Sequence, residues 1–390
     1  MKKKVLKSAL TAIICSAAVF VITLFNTIGF DKLEAYFSVF SFPDEFTEKQ
    51  PLSTKNFDML NETEKKAYIN VFNNIEKHPE YIKIPLLSQA EFENVYFAVK
   101  NDNPDVLCFS DSCNMISFMS SSFLQLQYDY EKDECDTKTD ELNRKAEEII
   151  RIVDVSDEYT AELAIHDYIV VNCSYEEDAK NASNAYGCLV GGEAVCSGYS
   201  RAAMLLLSKA GIESILIGGT GINSENESIS HMWNIVWIDE KTYHLDVTWD
   251  DPDYAGNVVS HQFFNLTTED ISVDHKDFAV DIDCNSTAAG YFEKEKLLFD
   301  KYDSETLTRI RNRLCDNINS EKNYIEIEFS DKDSYDTAVE SIIDNSSPTS
   351  DMYKIVSFIS ENTENKVDTT HINFVKENNK NYIRLMFDTV

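Results

Sequence analysis

Three residues of this 390-residue chain are of the types that carry out nucleophilic acyl transfer: Cys196, His231 and Asp246. In that chemistry a thiolate attacks, an imidazole takes and returns the proton, and a carboxylate holds the imidazole in one tautomer. Each residue alone is weak evidence, because free cysteines are among the most buried residues in proteins. The elements that position the three residues therefore decide between catalysis and packing.

Cys196 lies where the glycine-rich stretch GCLVGGEAVCSGYSR, which starts at residue 187, runs into a helical pattern. That helix extends to about Lys209, and Gly211 can serve as its stop. A helix N-terminus presents unpaired N–H groups and the positive end of the helix dipole. A thiol there is deprotonated more easily, and the thiolate is its reactive form. Cys196 is thus either a nucleophile on a helix start or a small buried residue.

His231 and Asp246 lie on a predicted β-hairpin. His231 opens the strand HMWNIVWID, Asp246 lies on the strand TYHLDVTWDD, and Asp239 to Lys241 form the turn between them. An antiparallel pairing around this turn brings the two side chains near each other on neighbouring strands. A cysteine on a helix start that faces this pair would complete one site.

The blocks GGEAVCSGYSRAAMLLLSKAGIES and HMWNIVWIDEKTYHLDVTWDDP resemble the core of the transglutaminase-like superfamily. Its pattern is a Cys-Gly-Tyr-type nucleophile motif, a His-x-Trp-Asn strand and an Asp-x-Thr-Trp-Asp-Asp strand. All three blocks occur here in that order, separated by 35 and 15 residues. The resemblance covers residues 136–290, including HQFFNLTTEDISVDH, which is similar to the tail segment of bacterial members.

The resemblance implies an α+β, papain-like transglutaminase core, in which a helix bearing the cysteine packs on an antiparallel sheet bearing the histidine and aspartate. It implies Cys196 as nucleophile, His231 as general base and acid, and Asp246 as the orienting carboxylate. The backbone N–H of Cys196 would stabilise the oxyanion, which a helix N-terminus favours. Tyr186 is the candidate for a second oxyanion contact.

Several neighbouring residues are interpreted as structural. Trp233 and Trp249 are expected to pack around the triad, and His244 to be a structural neighbour of Asp246. Other polar residues are also predicted to be structural: Asp250 and Asp251 as turn residues, and His166 as a packed or capping residue within a helix.

The alternatives for the cysteines are a zinc site and disulfides. A zinc site from Cys188, Cys196 and His231 fits no common ligand spacing, and we expect no metal and no cofactor. The nine cysteines contain no CxxC pair, although Cys108 and Cys113 could bridge if the chain is exported.

The first thirty residues predict a signal anchor. MKKKVLK is followed by an uncharged apolar run over residues 8–30, and about 20 such residues cross a bilayer. Lysines before the run and acidic residues after it place the N-terminus in the cytoplasm and the rest outside. A single-pass membrane protein with an extracytoplasmic bulk is therefore expected, or a secreted one if the segment is cleaved.

The remaining sequence suggests flanking regions around the core. We predict a linker at 31–60, a helix-plus-strand region at 61–135, the transglutaminase-like domain at 136–290 and a small α+β module at 301–390. In the second region NETEKKAYINVFNNIEKH predicts a helix, and the stretches around ENVYFAVKNDNPDVLCF and SFLQLQYDY have strand character. In the module, RNRLCDNI closes a helix, NYIEIEFS predicts a strand, SYDTAVESIID and MYKIVSFISEN predict helices, and HINFVKENNKNYIRLMFDT predicts two strands around a polar turn. The net charge of −33 argues against a nucleic-acid partner, because phosphate binding needs clustered Lys and Arg.

The sequence thus favours an extracytoplasmic Cys-His-Asp enzyme, a peptidase, amidase or protein-glutamine transferase. It would cleave or transfer an amide acyl group of a protein or peptide through a thioester at Cys196. The alternative is an inactive surface binding or scaffold protein that retains the fold.

Overall fold

A computed structural model describes residues 42–107, 109–118, 121–223, 225–251, 258–344, 347–363 and 367–389. Contacts divide the chain into two units. The first comprises residues up to Asp102 with Cys108–Glu134, and the second comprises Asn103–Leu107 with Cys135–Val390. The predicted anchor at 8–30 lies outside the described residues, and no helix within them is long and apolar enough to span a membrane. The domain boundaries proposed from the sequence stay predictions.

In its described residues, the first unit combines three helices with a three-stranded antiparallel sheet of order β1-β3-β2. Its elements are α1 (Lys55–Met59), α2 (Glu62–Ile75), β1 (Tyr81–Pro85), α3 (Gln89–Asp102), β2 (Phe109–Phe118) and β3 (Ser121–Tyr128). Helix α2 begins at a capping box: the Asn61 side chain accepts a hydrogen bond from the Glu64 N–H, and the Glu64 carboxylate accepts one from the Asn61 N–H. The predicted helix in this region is confirmed, and its apolar face is buried.

One predicted strand in this unit is wrong. The stretch ENVYFAVKND was expected to have strand character, but it forms most of α3. Phe92, Val95 and Val99 recur at i, i+3 and i+7 and are all buried, so a helical face outweighs the strand preference of these residue types.

Part of the predicted linker is folded. Residues 42–60 contain α1, and the Phe46 ring lies 5.4 Å from the Phe57 ring and 5.5 Å from that of Phe72. Burial of these aromatic rings attaches the segment to the first unit.

The second unit begins with a helical and sheet core. Its elements are α4 (Lys132–Ile152), α5 (Glu158–Asn172), β4 (Ser174–Tyr175), a π-helix (Gly187–Gly191), β5 (Glu193–Ala194), α6 (Cys196–Lys209), β6 (Ser214–Ile222), β7 (Ser228–Ile238), β8 (Lys241–Leu245), α7 (Thr268–Ile271) and β9 (His275–Lys276). Four strands form an antiparallel sheet of order β8-β7-β6-β9, and α6 packs against β6 and β7. The predicted α+β class is confirmed.

The predicted hairpin is present, with shifted strand ends. Asp239 and Glu240 adopt φ of 49° and 64°, the left-handed conformation that a tight two-residue hairpin turn requires. Strand β7 begins at Ser228, three residues before His231. Strand β8 ends at Leu245, and the chain then turns, with the Asp250 N–H donating to the Asp246 carbonyl and the Asp246 N–H donating to the Phe263 carbonyl. Asp246 therefore follows the second strand and does not lie on it.

The unit ends with a second sheet. Its elements are α8 (Tyr291–Lys294), β10 (Leu298–Phe299), α9 (Ser304–Asn319), β11 (Tyr324–Phe329), α10 (Lys332–Ala338), a π-helix (Val339–Asp344), α11 (Asp351–Asn362), β12 (Val367–Glu377) and β13 (Tyr382–Thr389). The strand order is β10-β11-β13-β12, with only the β10–β11 pair parallel. The helices and strands predicted for this region are confirmed.

The disulfide suggested by the sequence does not form. Cys113 on β2 is a free thiol, whereas Cys135 on α4 is disulfide-bonded.

Candidate active site

Cys196 is the first residue of α6, directly after the short strand β5. Gly192 adopts a left-handed φ of 76° before β5, and Val195 is extended, so the chain turns sharply into the helix. No side chain within the described residues caps this helix start. Cys196 is half-buried, so its thiol is partly accessible to solvent. Because it lies at a helix start, it is also close to backbone N–H groups that have no partner within the helix.

His231 and Asp246 form a close buried pair. His231 Nε2 lies 2.6 Å from Asp246 Oδ2, and the aspartate is fully buried. The other carboxylate oxygen of Asp246 accepts hydrogen bonds from the backbone N–H groups of Thr248 and Trp249, at 3.1 and 3.3 Å. These bonds fix the orientation of the carboxylate whose other oxygen holds the imidazole.

Cys196 lies beside His231: burial lowers the pKa of the imidazole, but Asp246 and, after it, Cys196 raise it. Because Nε2 of His231 faces Asp246, Nδ1 is the nitrogen left for the thiol. Ser200 links α6 to β7 at this point, since its single O–H is shared between the carbonyls of Cys196 and Met232, at 2.8 and 2.9 Å, and Asn234 Nδ2 donates to the Ser200 carbonyl. The structure thus brings together the three residues that the sequence predicts as a triad.

Two tryptophans enclose the His231 ring, as expected from the sequence. Trp233 stacks on it at 5.8 Å between ring centroids and Trp249 lies at 5.0 Å. Gly221 on β6 makes room for this packing, because a Cβ there would come within 2.7 Å of the Trp249 ring. The Trp233 indole N–H donates to Nδ1 of His244, which makes His244 a structural neighbour of the site.

His231 and Asp246 carry opposite charges at neutral pH. Burial opposes the charged form of His231, but the charge and hydrogen bond of Asp246 and the contact with Cys196 outweigh it and raise the pKa of His231 to about 10. Burial likewise opposes ionisation of Asp246, but His231 and His275 lower its pKa well below the usual range. At neutral pH His231 is therefore an imidazolium, and it stands beside the Cys196 side chain.

The raised pKa of His231 predicts a loss of stability at alkaline pH. The ordinary pKa of histidine is 6.5 and the folded-state value is about 10, so this contribution is complete below pH 6.5 and is lost as the pH rises through about 10. We expect the Tm of the wild type to fall more steeply between pH 8 and 10.5 than that of His231→Gln. Parallel Tm profiles would contradict the raised pKa.

His275 is a member of the site that the sequence analysis did not assign. Its Nε2 lies 3.0 Å from Asp246 Oδ2, the same oxygen that binds His231, and its Nδ1 lies 2.8 Å from Asp274 Oδ1. Asp274 in turn lies 3.4 Å from Nζ of Lys380, on the turn between β12 and β13. The only sequence signal was the histidine at the end of the tail segment HQFFNLTTEDISVDH.

We expect His275 to position Asp246. In His275→Ala the kcat should fall roughly tenfold, the size of one lost charged hydrogen bond, with KM little changed. His275→Gln keeps a donor and should recover most of the rate. His244→Gln is the matched control, because this buried histidine bonds Trp233 and Thr268 rather than Asp246. An equal loss in His275→Gln and His275→Ala would rule out positioning through a hydrogen bond.

Other predicted residues lie elsewhere or have larger roles. The Tyr186 hydroxyl donates to Glu141 on α4 at 2.6 Å, so this group is directed to α4. Asp250, expected to be a turn residue, is buried, accepts the Phe263 N–H and lies 3.2 Å from His166 Nε2.

The zinc site weighed from the sequence is not assembled. Cys188 is buried, and this burial together with the neighbouring Cys173 raises the pKa of its thiol well above the ordinary value. Among the described residues, the groups whose ligand atoms converge closely enough for a metal ion are His166–Asp167–His261 and His231–Asp246–His275.

A cysteine at a helix start, facing a histidine–aspartate pair held by an antiparallel sheet, defines a papain-like α+β domain. Residues 146–247 match the family model of the transglutaminase-like superfamily. The matched residues include Cys196, His231 and Asp246. No curated protein matches the chain.

Three solved structures are similar to parts of the chain. A proposed cysteine protease of Cytophaga hutchinsonii is 14% identical over 35% of this chain and 61% of its own, with a TM-score of 0.24. A TGase is 13% identical over 44% of this chain and 52% of its own, at 0.26. A proposed protease of Parabacteroides distasonis is 15% identical over 35% and 30%, at 0.22. The chain thus spans less than two thirds of the length of these structures.

Proposed function

We propose that this protein is a thiol acyltransferase or hydrolase that acts on an amide of a protein or peptide. The observation that carries the proposal is the 2.6 Å bond between His231 and Asp246 beside the thiol of Cys196. The three residue types, their order and their contacts are those that thioester chemistry needs.

The reaction would start from the thiolate–imidazolium pair. The Cys196 sulfur attacks the amide carbonyl, and the backbone N–H of Cys196 at the start of α6 donates to the oxyanion. The C–N bond then breaks as His231 gives its proton to the leaving amine, which leaves a thioester on Cys196. Neutral His231 next takes a proton from the incoming water or amine, which attacks the thioester carbonyl. The C–S bond then breaks, which releases the acyl product and restores the Cys196 thiolate beside protonated His231.

We favour water, or a narrow range of amines, as the acceptor. The thioester is opened by whichever nucleophile reaches it, and an efficient crosslinker needs a docking place for a lysine side chain. The negative charge of the chain is distributed over its whole length, and no single segment has the features of such a place.

The test separates transfer from hydrolysis. Full-length protein is incubated with a glutamine-containing protein and a fluorescent primary amine, with Cys196→Ala as control. We expect Cys196-dependent cleavage or deamidation without labelling. Cys196-dependent labelling would instead establish amine transfer and overturn the preference for water.

The alternative of an inactive binding protein is tested with a thiol-reactive probe. Selective labelling of Cys196, lost in His231→Ala, supports an enzyme. An unreactive Cys196 together with no turnover across a broad substrate panel would favour the scaffold.

We also propose an extracytoplasmic location, on the basis of the apolar run at 8–30 and the lysines before it. The full-length protein should fractionate with membranes, and protease outside intact cells should digest the C-terminal region. Recovery of a soluble form that lacks residues 1–30 would show cleavage instead, and a cytoplasmic protein would contradict both forms.

A further inference from the structure

A second cluster of histidines and carboxylates lies in the second unit, outside the candidate triad. His166 and Asp167 are adjacent on α5, and His261 lies in the segment that precedes α7. His166 Nδ1 and His261 Nε2 each lie 3.0 Å from the same oxygen, Oδ1 of Asp167. Two imidazole nitrogens and one carboxylate oxygen therefore converge on one point.

The outer nitrogen of each histidine is held by a buried carboxylate. His166 Nε2 lies 3.2 Å from Asp250 Oδ2, and His261 Nδ1 lies 2.7 Å from Glu326 Oε2. Both carboxylates are fully buried, as are both histidines. Metal-binding histidines characteristically present their second nitrogen to a carboxylate, which fixes ring orientation and raises ligand basicity. This cluster has that arrangement on both rings.

The geometry is close to that of a three-ligand metal site. Around a tetrahedral zinc with bonds of about 2.0 to 2.1 Å, neighbouring ligand atoms are roughly 3.3 Å apart. The two nitrogen–oxygen separations here are 3.0 Å, and all three ligand atoms lie within 4.8 Å of one another. Tyr291 stacks on the His261 ring at 3.8 Å and 4°, which holds that ligand in place.

Charge and access also fit a divalent cation. The carboxylates of Asp167, Asp250 and Glu326 all contact the two histidines, and the Arg384 guanidinium lies 3.2 Å from Glu326. These carboxylates would balance the charge of a divalent cation, which could take the place of imidazole protons in this buried region. The Asp167 side chain is 40% exposed, which gives an ion a route to its oxygen.

We propose that His166, Asp167 and His261 bind one Zn²⁺, with solvent as the remaining ligand. Two nitrogens and one carboxylate oxygen are ligands that zinc accepts. The ion would join α5 to the segment before α7, and through Glu326 to β11. This differs from the absence of a metal expected from the sequence, and it is independent of the proposed function.

The other convergent cluster is a poorer metal site. In His231–Asp246–His275 the second nitrogen of His231 faces Cys196 rather than a carboxylate, and Asp246 is fully buried. That cluster therefore serves as the internal comparison for the test.

The test is metal binding by the full-length protein. The protein is treated with chelator, incubated with Zn²⁺ alone, freed of excess by gel filtration and analysed for zinc by mass spectrometry. We expect one zinc per chain, and Co²⁺ in its place should give the visible absorption of a tetrahedral site. Zn²⁺ should raise the Tm of the chelator-treated protein.

Variants locate the ion. Asp167→Ala, at a half-exposed side chain, should weaken zinc binding at least tenfold and abolish the Tm response, and His261→Gln should act in the same way. His275→Gln, in the comparison cluster, should retain zinc. No zinc retained by the wild type, unchanged binding in Asp167→Ala, or loss of zinc in His275→Gln would each overturn the proposal. If His261→Gln fails to fold, Asp167→Ala still decides.

Discussion

Replacement of Cys196 by alanine is expected to abolish amide cleavage and thioester formation, and His231→Ala to come close to it. Both variants should lose on the order of 10⁴-fold or more in kcat, because nucleophile and base act as a unit. Asp246→Asn should retain weaker activity, since it keeps the shape of the side chain but no longer holds the imidazole by its charge. Single-turnover kinetics on one peptide substrate measures all three.

Stability measurements are the control for this series. Cys196→Ala should leave the Tm nearly unchanged, because a half-buried thiol at a helix start contributes little packing. If Asp246→Asn matched the wild type in kcat/KM, Asp246 would no longer be assigned to the triad. Full activity of Cys196→Ala would remove the proposed mechanism altogether.

The second large effect is on stability. Glu326→Gln should lower the free energy of unfolding by about 3 to 5 kcal/mol, the usual cost of breaking a buried ion pair. Burial opposes the charge of Glu326, but His261 and Arg384 outweigh it and lower its pKa to about 2. Its carboxylate also accepts the Tyr382 hydroxyl at 2.6 Å. Glutamine keeps the volume of the side chain, so the change tests the charge.

Glu328→Gln is the matched control, two residues further along β11. Burial raises the pKa of Glu328 to about 7, so its charge is not stabilised by its surroundings. A neutral amide there should change the free energy of unfolding by less than about 0.5 kcal/mol. Urea denaturation of both variants measures the difference, and equal losses would refute the role given to the Glu326 charge.

Local patterns were sufficient to predict the elements that carry the triad. The glycine-rich run before Cys196 and the apolar helix after it mark the start of α6. The alternation in β7 and the short turn at Asp239 mark the hairpin, because strand periodicity and turn chemistry are properties of neighbouring residues. The ends of the strands were misplaced: β7 begins three residues before His231, and β8 ends one residue before Asp246.

The polar partners were beyond such patterns. His275 lies in a strand of only two residues, too short to show a period. His166 and Asp250 are separated by 84 residues in the chain, and His261 and Glu326 by 65. The spacing of polar residues does not record which of them meet in the fold, so Asp250 was interpreted as a turn residue.

The bond between Glu326 and His261 has a consequence for modularity. The family match ends at residue 247. Two contacts nevertheless join later parts of the chain to this region: the buried Glu326 carboxylate of β11 bonds His261, and Lys380 between β12 and β13 lies 3.4 Å from Asp274. A fragment cut after residue 290 would expose His261 and remove both contacts. We therefore expect the matched region to be unstable without the terminal sheet, so a transfer of this region into another protein would have to include that sheet.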